Sequence, residues 1–288
     1  MFGPPALSAL ALAVTMAAPL TPATAAVLPG LNYVAIGSSF AAGPGIPPVQ
    51  PGDAAAACSR SANNYPSVVA REIGATLTDA SCSGATTANV LSDSQSGQPP
   101  QISAVTDATQ VVTVTIGGND VNYLGSLGAY TCQADGGSGC AGVDRDAIDQ
   151  TFPQLAGRIE NVVNAVHRVA PGARVYLVNY FTILPGSGGC AGVPLTADQL
   201  AYERSIAARL ESATAAAASA AGATLVDLAA AGRGHDACSA DPWVETGHPP
   251  AGRAQYHPNA AGMRAAAALV EAALEPVGQQ RTPAAQAS

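Results

Sequence analysis

Three short segments of the chain carry the residue types that nucleophilic acyl chemistry requires. They are Gly37-Ser38-Ser39, Gly117-Gly118-Asn119-Asp120 and His257-Pro258-Asn259. A serine hydroxyl becomes a good nucleophile when a base takes its proton, and the oxyanion that develops needs preorganised donors. Each segment alone is ordinary turn sequence, but together they supply a serine, an amide donor and a histidine. The set therefore predicts a serine hydrolase.

The predicted donors to the oxyanion are of two kinds. Asn119 offers a side-chain N–H, and the backbone N–H groups of Ser39 and Gly84 complete the predicted oxyanion hole. Gly84 suits this role because a residue without Cβ lets the backbone approach a reacting group. We interpret Asp120 as a structural residue of the loop that presents Asn119.

Two histidines compete for the role of general base, because His248 lies only nine residues before His257. We favour His257, since Asn259 can cap the helix that follows it and Gly262 completes a His-Pro-Asn-x-x-Gly pattern. The sequence therefore predicts a Ser39–His257 pair.

The elements that must position these residues alternate between β-rich runs and helical patterns, which is typical of βαβ units and a parallel sheet. Ser39 follows the first predicted strand by three residues and Asn119 follows the third by three. Both are therefore expected at the carboxyl edge of the sheet, where α/β folds bind their ligands. Five strands are predicted: Tyr33–Ile36, Ala75–Asp79, Val111–Ile116, Val175–Asn179 and Thr224–Leu228.

Three helices are predicted between and after these strands. Apolar residues recur at spacings of three and four from Phe152 to Val166, which indicates one buried helical stripe. Thr196, with Gln199 three residues later, forms a capping-box pattern at the start of the second helix. The third is expected to follow Asn259.

Length and composition favour one domain and exclude some partners. The 288 residues are 48% hydrophobic, which is enough for one substantial core. A net charge of −8 with only 12 Lys and Arg leaves no basic patch, so nucleic acid is not expected as a partner. After the N-terminal segment, no apolar run approaches the roughly 18 residues of a membrane span.

The two ends of the chain are expected to lie outside the domain. Residues 1–26 resemble a secretory signal, with an apolar stretch followed by small residues at Ala23–Ala26, which predicts secretion. No Lys or Arg precedes the apolar stretch, so an uncleaved N-terminal anchor is the alternative. The domain is then predicted over 27–277, with a disordered tail at 278–288.

Six cysteines fit an oxidising compartment and up to three disulfides, and none forms a CxxC pair. Counting alone leaves 15 possible connectivities open, and buried free thiols are the alternative. His235 lies beside Asp236 and Cys238 without any known ligand spacing, so we expect no metal there and no cofactor.

The order Gly-x-Ser, loop Gly, Gly-x-Asn-Asp and His-Pro-Asn resembles the SGNH (GDSL-type) hydrolase superfamily. The stretch 37–43 is similar to its actinobacterial secreted esterases and lipases, and the resemblance spans about 33–262. It implies a three-layer α/β/α, flavodoxin-like fold, with Ser39 as nucleophile, Gly84 and Asn119 as oxyanion donors, and His257 as base. It also implies three sequential disulfides, Cys58–Cys82, Cys132–Cys140 and Cys190–Cys238.

The sequence departs from the family pattern at two positions. Ser38 replaces the usual Asp before the nucleophile, and Ala254 replaces the Asp often found three residues before the histidine. A histidine needs an acceptor to hold its tautomer, and this need not be a carboxylate. The backbone carbonyl of Ala254 or Gln255 is the first candidate, and Asp241 is a second.

These observations predict a secreted, monomeric carboxylic ester hydrolase that forms an acyl-enzyme from a lipid or other small acyl ester. The resemblance leaves a phospholipase A or a polysaccharide deacetylase as alternatives. A non-catalytic binding protein is a further alternative, motivated by the two missing carboxylates at Ser38 and Ala254.

Overall fold

The structure is a computed structural model that describes residues 30–274. The predicted signal segment at 1–26 and the tail at 278–288 lie outside the described residues. Within residues 30–274, no helix has the length and apolarity that crossing a bilayer requires.

A five-stranded parallel sheet forms the centre of the molecule, as the α/β prediction requires, and its strand order is β2-β1-β3-β4-β5. Its inner strands are almost wholly buried, because their side chains are apolar or β-branched on both faces. The strands are β1 (Asn32–Gly37), β2 (Thr76–Asp79), β3 (Val111–Thr115), β4 (Arg174–Val178) and β5 (Thr224–Val226).

The fifth strand is shorter than predicted, because Asp227 caps a short helix and Leu228 is the first residue of that helix. The Asp227 carboxylate accepts a hydrogen bond from the Ala230 backbone N–H at 3.0 Å, which caps a short helix that begins at Leu228. The aspartate ends the strand because its side chain accepts a hydrogen bond from a backbone N–H in the first turn of the helix, and this favours helix over strand at Leu228.

In the described part of the chain, seven α-helices lie in the connections between the strands, and two follow β5. They are α1 (Ser39–Ala42), α2 (Asp53–Ala57), α3 (Tyr65–Ile73), α4 (Thr87–Leu91), α5 (Tyr123–Ala134), α6 (Arg145–Val169), α7 (Ala197–Ala221), α8 (Leu228–Ala231) and α9 (Ala260–Leu274). Helix α6 contains the predicted stripe, and the Thr196–Gln199 capping box at α7 is present with both of its hydrogen bonds.

The strand order reverses beside β1, because the chain goes from β1 to β2 on one side and then to β3 on the other. Right-handed crossovers in opposite directions place helices on opposite faces of a parallel sheet. Helix α3 packs against α9, and α6 packs against α7. The carboxyl ends of β1 and β3 flank the switch point, where this class of fold binds ligands.

Three disulfides hold the long loops of the described region. They join Cys58 to Cys82, Cys132 to Cys140 and Cys190 to Cys238, which are the pairs that the family resemblance implies. The first bridge joins the segment after α2 to the loop after β2, and thereby fixes the loop that carries Gly84.

Candidate active site

The turn after β1 places Ser39 at the first position of α1, with 7% of its surface exposed. Gly37 has a φ of +140°, and a Cβ at this position would collide with the Thr115 backbone of β3. The Ser38 backbone N–H donates to the Thr115 carbonyl at 2.8 Å. The turn is therefore held against the neighbouring strand by backbone contacts that only glycine permits at position 37.

A buried glutamine holds the same turn from the other side. The Gln101 Oε1 atom accepts from the Gly37 N–H at 2.6 Å, and its Nε2 donates to the Gly37 carbonyl at 3.0 Å. The Cys82 N–H also donates to that carbonyl, at 3.0 Å. Both backbone polar groups before the serines are thus satisfied, which fixes the start of the turn.

The predicted oxyanion donors are connected by one hydrogen bond between loops. Asn119 Nδ2 donates to the Ala85 carbonyl at 2.9 Å, which joins the loop after β3 to the loop that contains Gly84. An amide nitrogen carries two hydrogens, and no acceptor within residues 30–274 takes the second one. Among residues 30–274, no protein acceptor takes the backbone hydrogens of Ser39 and Gly84.

Asp120 supports the loop that presents Asn119. Its carboxylate accepts from the Thr87 backbone N–H at 3.0 Å and from the Thr87 hydroxyl at 2.5 Å. The Arg158 guanidinium lies 3.8 Å from the same carboxylate. These contacts agree with the structural role that the sequence suggested for Asp120.

His257 meets the serine directly, since its Nε2 lies 2.8 Å from Ser39 Oγ. Its Nδ1 lies 2.6 Å from the Gln255 carbonyl oxygen. A carbonyl can only accept, so Nδ1 carries the hydrogen and Nε2 is the free acceptor for the serine proton. This tautomer is the one that a general base for Ser39 requires.

Strand-like pairing holds the segment around His257. The Glu245 N–H donates to the His257 carbonyl at 2.8 Å, and the Asn259 N–H donates to the Trp243 carbonyl at 2.9 Å. The Asn259 side chain then accepts from the Ala261 and Gly262 N–H groups, each at 2.9 Å, as the predicted cap of α9. The backbone on both sides of His257 is therefore held by hydrogen bonds.

The surroundings of His257 favour its neutral form. Burial lowers the pKa of the imidazole below its ordinary value, and the hydrogen bond to the Gln255 carbonyl opposes this in part. The ring of Phe40 packs nearby, with its centroid 5.7 Å from that of the imidazole. The histidine is thus able to accept a proton at neutral pH.

The other two candidate groups for orienting His257 make different contacts. The Ala254 carbonyl accepts from the His257 backbone N–H at 3.3 Å and not from the ring. Asp241 lies beside His235, whose Nδ1 is 2.7 Å from its carbonyl oxygen and 3.5 Å from its carboxylate. Of the three candidate acceptors, the ring therefore contacts the Gln255 carbonyl and neither the Ala254 carbonyl nor Asp241.

His248, the competing base, is exposed and pairs with Asp135 at 2.8 Å. No group of three or more His, Cys, Asp or Glu side chains within the described ranges has a geometry suited to a metal ion. The Cys238 thiol near His235 is taken by the disulfide to Cys190.

Two residues that contact the turn at Gly37–Ser39 were not predicted from the sequence. Gln101 lies in a short 3₁₀ segment far from every motif, so nothing in its neighbourhood marked it. Tyr180 follows β4 at the carboxyl edge of the sheet, and its hydroxyl reaches both Ser38 and Gly118. Its place after a strand was a signal that could have found it.

Comparison with known proteins agrees with this geometry. The model of the GDSL-like Lipase/Acylhydrolase family matches residues 35–265. The chain is 37% identical to Lipase 2 of Streptomyces coelicolor, over 87% of this chain and 90% of the relative. It is 31% identical to a lipase of Streptomyces rimosus, over 89% and 93% of the two chains.

Two solved structures share the fold. The extracellular lipase of Streptomyces rimosus aligns with a TM-score of 0.69 and 28% identity, over 85% of this chain and 100% of the other. Phospholipase A1 of Streptomyces albidoflavus aligns with a TM-score of 0.66 and 25% identity, over 84% and 99%. The chain is an ester hydrolase that belongs to the GDSL-like Lipase/Acylhydrolase family.

Proposed function

We propose that this chain hydrolyses carboxylic esters through a covalent acyl-enzyme on Ser39, with His257 as general base and then general acid. The observation that carries this proposal is the 2.8 Å contact between His257 Nε2 and Ser39 Oγ, with Nδ1 held by the Gln255 carbonyl. Nucleophile, base and orienting acceptor within hydrogen-bond reach of one another form the arrangement that activates a serine.

The reaction takes two half-steps on the same groups. His257 Nε2 takes the Ser39 proton as Oγ bonds to the ester carbonyl carbon, and the carbonyl oxygen becomes an oxyanion that Asn119, Ser39 N–H and Gly84 N–H stabilise. The C–O bond to the alcohol then breaks, and His257 gives its proton to the leaving alkoxide. Water repeats the sequence on the acyl-serine, which releases the acid and restores Ser39.

The proposed substrate class is the acyl ester of a lipid, because the relatives named above are lipases. A phospholipid is the second candidate, and the fold shared with phospholipase A1 favours it.

A panel of p-nitrophenyl esters from acetate to palmitate, together with phosphatidylcholine, tests this proposal. Turnover that depends on Ser39 would support it, and the chain-length profile would separate a lipase-like enzyme from a small-acyl deacetylase. Hydrolysis that persists in Ser39→Ala, or no hydrolysis of any ester, would overturn it.

Asn119→Ala is expected to lower kcat by about 10²–10³-fold with little change in KM, because an oxyanion donor acts mainly in the transition state. Steady-state kinetics on the best ester of the panel measures this effect. Asn164→Ala, on α6, is the control and should remain within about twofold of the unaltered enzyme. A rise in KM of similar size with kcat unchanged would instead assign Asn119 to substrate binding.

The pH dependence of kcat/KM is expected to rise through an apparent pKa below about 6.5, the ordinary value for histidine, and then reach a plateau. The reason is that burial lowers the pKa of His257, so its neutral, proton-accepting form persists to lower pH. His248→Ala should leave the profile unchanged. A midpoint above 7 would contradict the assignment of His257 as the titrating base.

The proposal extends to processing and location. Residues 1–26 act as an export signal, and the enzyme works as a secreted monomer. The three disulfides support this, because they persist in oxidising compartments. N-terminal sequencing and the sedimentation mass of the secreted protein test both points.

A further inference from the structure

The Tyr180 hydroxyl connects the two loops that carry the proposed catalytic groups. It accepts from the Gly118 backbone N–H at 3.0 Å and lies 3.1 Å from Ser38 Oγ. Gly118 directly precedes Asn119, and Ser38 directly precedes Ser39. One oxygen atom therefore joins the residues next to the nucleophile and the oxyanion donor.

The ring of Tyr180 leaves little room for movement in either loop. A Cβ at Gly118 would lie 2.8 Å from the Tyr180 hydroxyl, so the phenol packs directly on the loop backbone. The other side of the ring contacts Phe40, with centroids 4.6 Å apart, and Phe40 is also beside His257. Because close-packed interiors transmit displacement, a shift of the Tyr180 ring would move Gly118 and Phe40 and, through Phe40, His257.

The hydroxyl is well suited to hold position and poorly suited to transfer protons. Tyr180 is 6% exposed, and burial raises the pKa of its hydroxyl to about 12, so it keeps its hydrogen at neutral pH. The Gly118 N–H donates to the phenol oxygen, and the same hydroxyl forms a hydrogen bond with Ser38 Oγ in which either oxygen can be the donor.

We propose that Tyr180 is a positioning residue that fixes the nucleophile turn relative to the oxyanion loop through its bonds to Ser38 and Gly118. It contributes to kcat without touching the substrate. This inference rests on the proposed roles of Ser39 and Asn119. It also gives a function to Ser38, the position where the family usually has aspartate: the serine hydroxyl is the partner that this tyrosine needs.

Tyr180→Phe tests the proposal, because it removes one oxygen and keeps the ring. We expect kcat to fall about 10-fold or more, with KM within about twofold, since small misplacements of reacting groups cost rate more than binding. Tyr33→Phe is the matched control. Tyr33 is equally buried, and its hydroxyl bonds Thr113 at 2.7 Å inside the sheet, away from the site.

A double-mutant cycle with Ser38→Ala measures the coupling between the two residues in kcat. A general loss of stability would not produce such coupling. If one bond carries the effect, Ser38→Ala lowers kcat as well, and the double variant is little worse than Tyr180→Phe alone. If Tyr180→Phe folds poorly, Ser38→Ala still tests the proposal, because it removes the Ser38–Tyr180 hydrogen bond and leaves Tyr180 in place.

Melting temperatures and kcat decide between the outcomes. A kcat for Tyr180→Phe within twofold of that for Tyr33→Phe, or strictly multiplicative losses in the cycle, would overturn the proposal. Failure of the proposed function can be distinguished from failure of this inference. It would appear as hydrolysis that persists in Ser39→Ala, independently of the kcat of Tyr180→Phe.

Discussion

His257→Ala is expected to lower kcat on p-nitrophenyl esters by roughly 10⁵–10⁶-fold, which is the scale of loss when a serine enzyme lacks its base. The physical reason is that Ser39 keeps its proton when no acceptor lies at the present Nε2 position, 2.8 Å from Oγ. Rates of purified, disulfide-intact protein, read over hours, measure a loss of this size.

His248→Ala is the control for this result. His248 is exposed, and its Nε2 lies 2.8 Å from the Asp135 carboxylate, a surface contact whose loss should cost about 0–1 kcal/mol of stability. Its kcat should stay within about twofold of the unaltered enzyme. A large loss in His248→Ala together with an active His257→Ala would reverse the assignment of the base.

Ser39→Ala is expected to produce a loss of the same size, because the acyl-enzyme cannot form without its oxygen. Residues that act as one unit are not additive, so the double variant Ser39→Ala/His257→Ala should be no slower than either single variant. Ser212→Ala, an exposed serine on α7, should retain full activity.

An additional loss in the double variant would mean that His257 acts independently of Ser39, for example on a water molecule. Equal melting temperatures for all variants would show that the losses come from chemistry and not from unfolding.

The fold was largely predictable because most of its strands can be recognised from local sequence patterns. Apolar, β-branched runs separated by helical patterns gave β1 to β4 within one or two residues. The error at β5 has a local cause, since Asp227 was counted as strand while its carboxylate caps α8. Capping competes with strand pairing over a few residues, and periodicity alone does not resolve that competition.

The pairing of Ser39 with His257 could be anticipated because each lies in a recognisable motif, Ser39 just after β1 and His257 just before α9. The orienting group could not be chosen from the sequence, because a backbone carbonyl such as that of Gln255 exists at every residue. Only the turn that the chain takes at Tyr256, which has a φ of +57°, brings that carbonyl to Nδ1.

Gln101 and Tyr180 show a second limit of sequence reasoning. Both hold the nucleophile turn through side chains that come from 64 and 142 residues away along the chain. Such contacts depend on the packing of separate connections: the sequence around Gln101 has no local pattern that reveals its contact, and Tyr180 is marked only by its place after β4.

The most direct test of the central claim is covalent labelling with a p-nitrophenyl alkylphosphonate, which mimics the tetrahedral intermediate on a serine nucleophile. Intact-mass spectrometry and peptide mapping should find one adduct per chain, on the peptide that contains Ser39, forming in proportion to the loss of esterase activity. Ser39→Ala should remain unlabelled. An adduct on any other residue, or inactivation without modification of Ser39, would contradict the account.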